Sequence, residues 1–257
     1  ILIYTESYLS RSVELLGEAK DLLQEKDLTK EEISAVVEKI CKKKEISNQT
    51  FTDKLNRILI KGNKIKKAKS DLKTLYKKNI KIEEAEHKYM LLDLWKHFKP
   101  LVPIELIDKK WRKIKLLIYP IEEIGFQGNN PLTDFRGSGL LGLQHLHTFT
   151  MSDKRADEVF KVAAGEKTWY FYAATGINIS GKVIDFIEDG LCDKYFFDST
   201  HPEVDILQFT SKFYCELFTG FNAFWVKGNY TDFMKVNTCL EEFMKKEAES
   251  IFKSTFK

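Results

Sequence analysis

Residues Gly125 to Phe149 hold the sharpest change of character in the chain, where a glycine- and asparagine-rich stretch gives way to an apolar helical stripe. Gly125, Gly128, Asn129, Asn130 and Pro131 are turn formers, because glycine and asparagine tolerate positive φ and proline presets the turn. From Leu140 the leucines fall at 140, 141, 143 and 146, with Phe149 beyond, which is helical spacing. Ser138 or Thr133 is placed to cap that helix. The pattern predicts Asp134, Phe135 and Arg136 on an ordered loop that leads into a buried helix. Gly137 and Gly139 leave room there for another backbone to approach. On the residues alone, the plainer reading is that Arg136 pairs with Asp134 or another carboxylate and pins the loop. The alternative is a cation held out to a partner.

The rest of the chain reads as helices. Thr5 to Gln24 places Leu9, Val13, Leu16 and Leu23 on one stripe. Thr29 to Glu32 fits a capping box that opens a second helix, which closes in Lys42, Lys43 and Lys44 at the negative end of its dipole. From Phe51 an apolar seam runs through Leu55, Ile58, Ile65, Leu72 and Leu75 to Ile82, with a break expected at Gly62 and Asn63. Nine lysines lie between Lys61 and Lys81. They read first as a solvated face, and second as a surface for an acidic partner, an anionic membrane or a polymer. An inter-chain coiled coil along this seam stays open.

Pro100, Pro103 and Pro120 bound a short helix expected around Glu105 to Lys115. Further helices are expected at Ala156 to Ala164, across Trp169 to Tyr172 with a kink at Gly176, at Val204 to Phe224 and at Asp232 to Phe252. Asp189 and Gly190 read as a helix stop, and Asp193 to Glu203 as a loop.

Composition narrows the function. Residues 1 to 86 carry nineteen basic and fifteen acidic side chains, against twenty-two and twenty-three in the remainder. A net charge of +3 is too small to argue for nucleic acid. No apolar run reaches membrane-spanning length, and Cys41, Cys192, Cys215 and Cys239 stand too far apart for a zinc spacing, so a cytosolic chain with reduced cysteines and no metal is expected. His145 and His147, two apart on a helix, point to different sides and cannot share an ion. His87, His97 and His201 are isolated, no serine or cysteine has an identifiable triad partner, and the glycines match neither a Walker loop nor a dinucleotide fingerprint.

The stretch Gly-Phe-Gln-Gly-x-x-Pro-x-Thr-Asp-Phe-Arg-Gly-x-Gly-x-Leu-Gly-Leu, beginning at Gly125, resembles the signature of the ELMO (engulfment and cell motility) domain. Tyr89 to Pro100, Ala173 to Ser180 and the aromatic-rich Phe213 to Phe233 resemble further parts of that domain, so the resemblance runs from His87 to Lys246. One departure stands out: the family's tryptophan four residues before the first glycine is Ile121 here. Trp111 to Ile114 looks like the displaced piece, with Lys115 to Ile124 as an insertion.

The resemblance implies an all-α, compact multi-helix domain over residues 87–246. It would be preceded by an amphipathic, lysine-rich helical extension over 1–86 and followed by a tail over 247–257. The branch of the family that keeps the arginine is associated with GTPase activation toward small GTPases of the ADP-ribosylation-factor (Arf/Arl) class. The resemblance therefore implies an activator rather than an enzyme with its own substrate site, and GTP and Mg would be bound by the partner GTPase, with no cofactor here. Arg136 would be an arginine finger, Asp134 would orient it, and Gln127 would hold the loop or contact the GTPase. Gly125, Phe126, Gly128, Pro131, Phe135, Gly137 and Gly139 would form its structural frame, with both phenylalanines as anchors. Other ELMO proteins are adaptors for guanine-nucleotide exchange complexes and lack this arginine. The alternative is thus a scaffold in a larger signalling or cytoskeletal assembly joined through the N-terminal helices.

Overall fold

The computed structural model describes residues 28–101, 104–107, 110–113, 124–127, 130–193, 195 and 205–256, of which 104–107 and 110–113 are described as backbone only. The amphipathic helix expected at Thr5 to Gln24 lies outside them, as does the loop expected at Asp193 to Glu203 apart from residues 193 and 195. Two compact units are formed, Ile1–Asp71 with Phe186–Ile206, and Leu72–Asp185 with Leu207–Lys257.

In the first unit, α1 (Lys30–Lys43) opens with the expected capping box. The Thr29 hydroxyl accepts from the Glu32 N–H at 3.2 Å, and the Glu32 carboxylate accepts from the Thr29 N–H at 2.8 Å. Ile33, Val37, Ile40 and Cys41 pack against Leu55 and Leu59 of α2 (Gln49–Lys77). Helix α2 runs unbroken through Gly62 and Asn63, where a break was expected. A glycine inside a helix costs about 1 kcal/mol relative to alanine, which burial of Ile58, Leu59 and Ile65 around it outweighs. The asparagine has its own purpose. Its side chain donates to the Leu28 carbonyl at 2.9 Å and accepts from the Leu28 N–H at 3.3 Å, fastening the approach to α1.

In the second unit the elements are α3 (Ala85–Phe98), strands β1 (Ile104–Ile107) and β2 (Lys110–Lys113), a 3-10 helix (Pro131–Gly137), α4 (Gly139–Ser152), α5 (Ala156–Ala163), α6 (Tyr172–Glu188), α7 (Ile206–Lys227), a short 3-10 turn (Phe233–Lys235) and α8 (Val236–Thr255). Among the described residues the fold is all-helical apart from one antiparallel hairpin. That hairpin corrects the helix expected around Glu105 to Lys115. Its register sets Leu106 opposite Trp111 and Glu105 opposite Arg112.

Helix α4 is buried along nearly its whole length and packs on α3. Around it stands an aromatic core: Phe149, Tyr172, Tyr214, Phe218, Phe221, Trp225 and Phe243 are all 2% exposed or less. Rings meet in edge and tilted geometry, such as Phe149 with Phe218 at 5.0 Å and Tyr170 with Trp225 at 5.7 Å. The stripe from Phe213 to Trp225 is thus core. Trp169 to Phe171 are not helical, contrary to expectation, and α6 starts at Tyr172. The lead-in is held instead by side chains, the Trp225 indole N–H donating to the Thr168 carbonyl and the Tyr170 hydroxyl to Asn222. Gly176 marks no break in α6. A Cβ there would lie 2.6 Å from the Tyr214 hydroxyl and 2.9 Å from both Leu146 and Phe218, so the glycine admits close helix contact. The helix stops at Glu188, and Gly190 takes φ +74° as a C-terminal glycine should.

Candidate functional site

The segment from Ile124 to Leu140 is fastened at both ends. At its start Gly125 has φ +83°, and a Cβ would lie 2.2 Å from the Tyr172 nitrogen and 2.7 Å from the Phe171 carbonyl carbon, so only glycine fits. Its carbonyl accepts from the Ala174 N–H at 2.9 Å, satisfying one of the donors left open at the start of α6. At its end Gly139 has φ +53°, and a Cβ would lie 2.3 Å from the Tyr76 carbonyl oxygen and 2.8 Å from that of Lys78. The next residue, Leu140, donates its N–H to Lys78 at 2.8 Å. This contact ends α2 at Lys77, short of the Ile82 expected from the apolar seam. Gly139 makes the close approach expected of it, and the backbone it admits is the chain's own.

Between the two ends the loop winds into the 3-10 helix. Asn130 caps this 3-10 helix: its side-chain oxygen accepts from the Leu132 N–H at 3.2 Å, and Pro131 stands at the first position. Ser138 occupies the position before α4 but its hydroxyl makes no capping bond. That hydroxyl is pressed toward Gly142, where a Cβ would come within 2.0 Å of it. Phe126 and Phe135 are 0% and 2% exposed, with ring centres 5.8 Å apart. Burial of each contributes about 1.5–3 kcal/mol, which anchors the loop as a sequence of such residues would suggest.

Asp134 ties the two strands of the loop together. Its carboxylate accepts from the Gln127 N–H at 2.7 Å and from the Thr133 hydroxyl at 3.3 Å. Burial pushes its pKa above the ordinary 3.8, against the opposing pull of those two donors and of Arg136. No ion pair joins Asp134 to Arg136 among the described residues. Arg136 instead donates its Nε–H to the Thr133 carbonyl at 3.0 Å, and its side chain is exposed. Gln127 is exposed, held by its backbone. Gly137 meets nothing within 4 Å of a notional Cβ and faces open space. Gly128 lies outside the described residues, as does most of the insertion at Lys115 to Ile124.

An open groove of about 540 Å³ runs beside Arg136. One wall is the 3-10 helix, with Leu132, Phe135 and Arg136. The other is the turn after α2, with Asn79, Ile80 and Lys81. Sequence reading missed that second wall because it carried α2 on to Ile82. The turn is held by buried His87. The Lys81 N–H donates to His87 Nδ1 at 3.1 Å, and the Lys81 carbonyl accepts from the Glu84 N–H at 3.2 Å. His87 Nε2–H is then directed to the Glu84 carboxylate at 3.3 Å. The other candidate histidines have packing partners: His145 Nδ1 lies 3.2 Å from the Ser180 hydroxyl, and His147 Nε2 lies 3.4 Å from Asp93. The cysteines are free thiols, and no cluster of metal-ligating side chains occurs among the described residues. No helix among the described residues is long and apolar enough to cross a membrane.

Fold and loop together define a helical domain that presents an arginine from a rigid turn ahead of a buried helix. The chain belongs to the ELMO/CED-12 family, whose model matches residues 70–240. ELMO domain-containing protein 1 of Bos taurus is 32% identical over 196 residues, covering 69% of this chain and 57% of that protein. ELMO domain-containing protein 2 of Homo sapiens is 27% identical over 220 residues, covering 84% and 71%. ELMO domain-containing protein B of Dictyostelium discoideum is 32% identical over 167 residues, covering 64% and 54%. The chain thus spans little more than half the length of the first of these relatives. No solved structure matches it.

Proposed function

We propose that the protein is a GTPase activator for small GTPases of the ADP-ribosylation-factor class and supplies Arg136 in trans. The observation that carries this reading is an arginine exposed beside a groove, without a carboxylate partner among the described residues, on a turn anchored by Phe126 and Phe135. An arginine that merely pinned the loop would be expected in an ion pair. Here the Nε–H is used to fix the direction of the side chain, and the terminal guanidinium nitrogens remain available.

The difficulty in GTP hydrolysis is charge on the transferring phosphoryl group, and an arginine delivered in trans stabilises it by roughly 10³ to 10⁵ in rate. The partner would hold GTP and Mg, and this chain would add no cofactor. Asp134 would act by tying the Gln127 backbone N–H to the Thr133 hydroxyl, and so would orient Arg136 through Thr133, whose carbonyl takes the Nε–H, rather than by direct contact. Gly137, open to its surroundings, would let the GTPase backbone come close to the arginine.

Single-turnover hydrolysis of GTP loaded on a panel of such GTPases tests this. The native chain accelerates at least one of them, and Arg136→Lys loses the acceleration by a factor of hundreds or more while its circular dichroism and melting temperature stay native. Binding of a GTPase with no acceleration would point to a scaffold instead, and acceleration that survives Arg136→Lys would overturn the assignment of Arg136 as the finger.

A further inference from the structure

The groove beside Arg136 has a second cation that the activator reading leaves unused. Lys81 is exposed, and its ammonium group makes no hydrogen bond or ion pair among the described residues. The nearby Glu84 carboxylate faces His87 and Lys78. Between Lys81 and Arg136 the groove is lined by half-buried Ile80 and Leu132 and by Phe135. The site therefore joins an apolar floor to positive charge on both walls.

Resting on that reading, we propose that this groove receives a segment of the GTP-loaded GTPase in which an apolar side chain is flanked by a carboxylate, with Lys81 pairing the carboxylate. Charge complementarity selects this occupant. A purely apolar segment would leave two cations partly desolvated and unpaired, which is costly. Arg136 has a planar fork suited to phosphoryl oxygens, whereas Lys81 is a flexible point charge suited to a single carboxylate. The Lys81 backbone is fixed by His87 and Glu84, so the lysine stands at a defined height above the groove. Lys81 would thus set affinity and choice of partner, while Arg136 acts on the rate.

The experiment measures binding of the native chain, Lys81→Glu and Lys96→Glu to the panel GTPases loaded with a non-hydrolysable GTP analogue, at low and high salt. Lys96 is also exposed and does not line the groove, so it controls for the same change in net charge. Lys81→Glu weakens binding about tenfold at low salt and less at high salt, and Lys96→Glu changes it less than about twofold. In single-turnover assays Lys81→Glu raises the half-saturating concentration, and the rate at saturation falls far less than with Arg136→Lys. If Lys81→Glu binds like the native chain while Arg136→Lys abolishes acceleration, the groove proposal is overturned and the activator stands. If Lys81→Glu weakens binding to a GTPase that is never accelerated, the groove stands and the activator falls. If no GTPase binds, both fall.

Discussion

Gly137 and Gly139 are separated by one residue, yet the structure gives them opposite sensitivities. At Gly139 an alanine must adopt φ +53°, which costs an L-residue about 1–2 kcal/mol. Its Cβ would also lie 2.3 Å and 2.8 Å from the carbonyl oxygens of Tyr76 and Lys78, both backbone atoms that cannot swing aside. The strain is relieved only by moving α4 off the end of α2, which breaks the Leu140 to Lys78 hydrogen bond and loses about 1 kcal/mol more. Gly139→Ala should therefore destabilise by about 3 kcal/mol, or about 6–12 °C in melting temperature for a domain of this size. At Gly137 φ is not positive and the space is open, so Gly137→Ala should keep the fold and gain about 0.4–1 kcal/mol through a less flexible unfolded chain. If the proposed activator reading holds, its cost falls on function, because a methyl group would stand where the GTPase backbone is proposed to approach. The assay is thermal unfolding and single-turnover GTP hydrolysis on the same samples. A native melting temperature for Gly139→Ala would refute the close-approach argument, and full stimulation by Gly137→Ala would refute the view that its open face is for a partner.

Two predictions concern pH. The Asp134 pKa is raised by burial, so its contribution to stability is fully present below the ordinary 3.8 and is lost as pH rises through the folded value. The difference in urea midpoint between Asp134→Asn and the native chain should accordingly move in favour of asparagine as pH rises through that window, and a constant difference would contradict the assignment. His145 shows the opposite sign, since burial lowers its pKa to about 3 from 6.5. Stability from keeping it neutral is present above 6.5 and is lost as pH falls toward 3, amounting to about 4–5 kcal/mol by linkage. His145→Gln should flatten the acid limb of the stability curve even if it is less stable at neutral pH, and an unchanged limb would show that other groups govern acid unfolding.

Local chemistry made much of this fold legible. The capping box at Thr29, the leucine spacing of α4 and the glycine stop at Gly190 each depend on residues near one another in sequence, and each is present. Most of the misreadings have a cause of longer range. Helix α2 crosses Gly62 because buried neighbours outweigh propensity, and it ends at Lys77 because Leu140, far along the chain, takes the Lys78 carbonyl. Gly176 read as a kink because its close contacts with Tyr214 and Phe218 on α7 are invisible in a linear pattern. The hairpin at Ile104 to Lys113 was mistaken for a helix because a run that short carries too few periods to separate the two. In the candidate site, the arginine and its anchors were readable from the motif, but the Lys81 wall was not, since it is made by a turn that only α4 brings to an end.

That dependence bears on how the loop could work. A side chain meant to stabilise a transition state must already point the right way, because ordering it at the moment of reaction would consume binding energy. Arg136 is a long side chain with much rotamer freedom to lose, so the fold has to restrict it beforehand. Three restraints act together: glycine contacts at residues 125 and 139 fix the loop's ends, Phe126 and Phe135 fix its middle, and Asp134 holds the Gln127 N–H and the Thr133 hydroxyl, on the residue whose carbonyl takes the Nε–H. None of them touches the terminal guanidinium nitrogens. An ion pair to Asp134 would have held the side chain more tightly, but it would have engaged the nitrogens that a phosphoryl group needs. On the activator reading, tethering through Nε keeps direction without occupying them, and the half-buried carboxylate two residues away is turned toward Gln127 and Thr133 rather than toward the arginine.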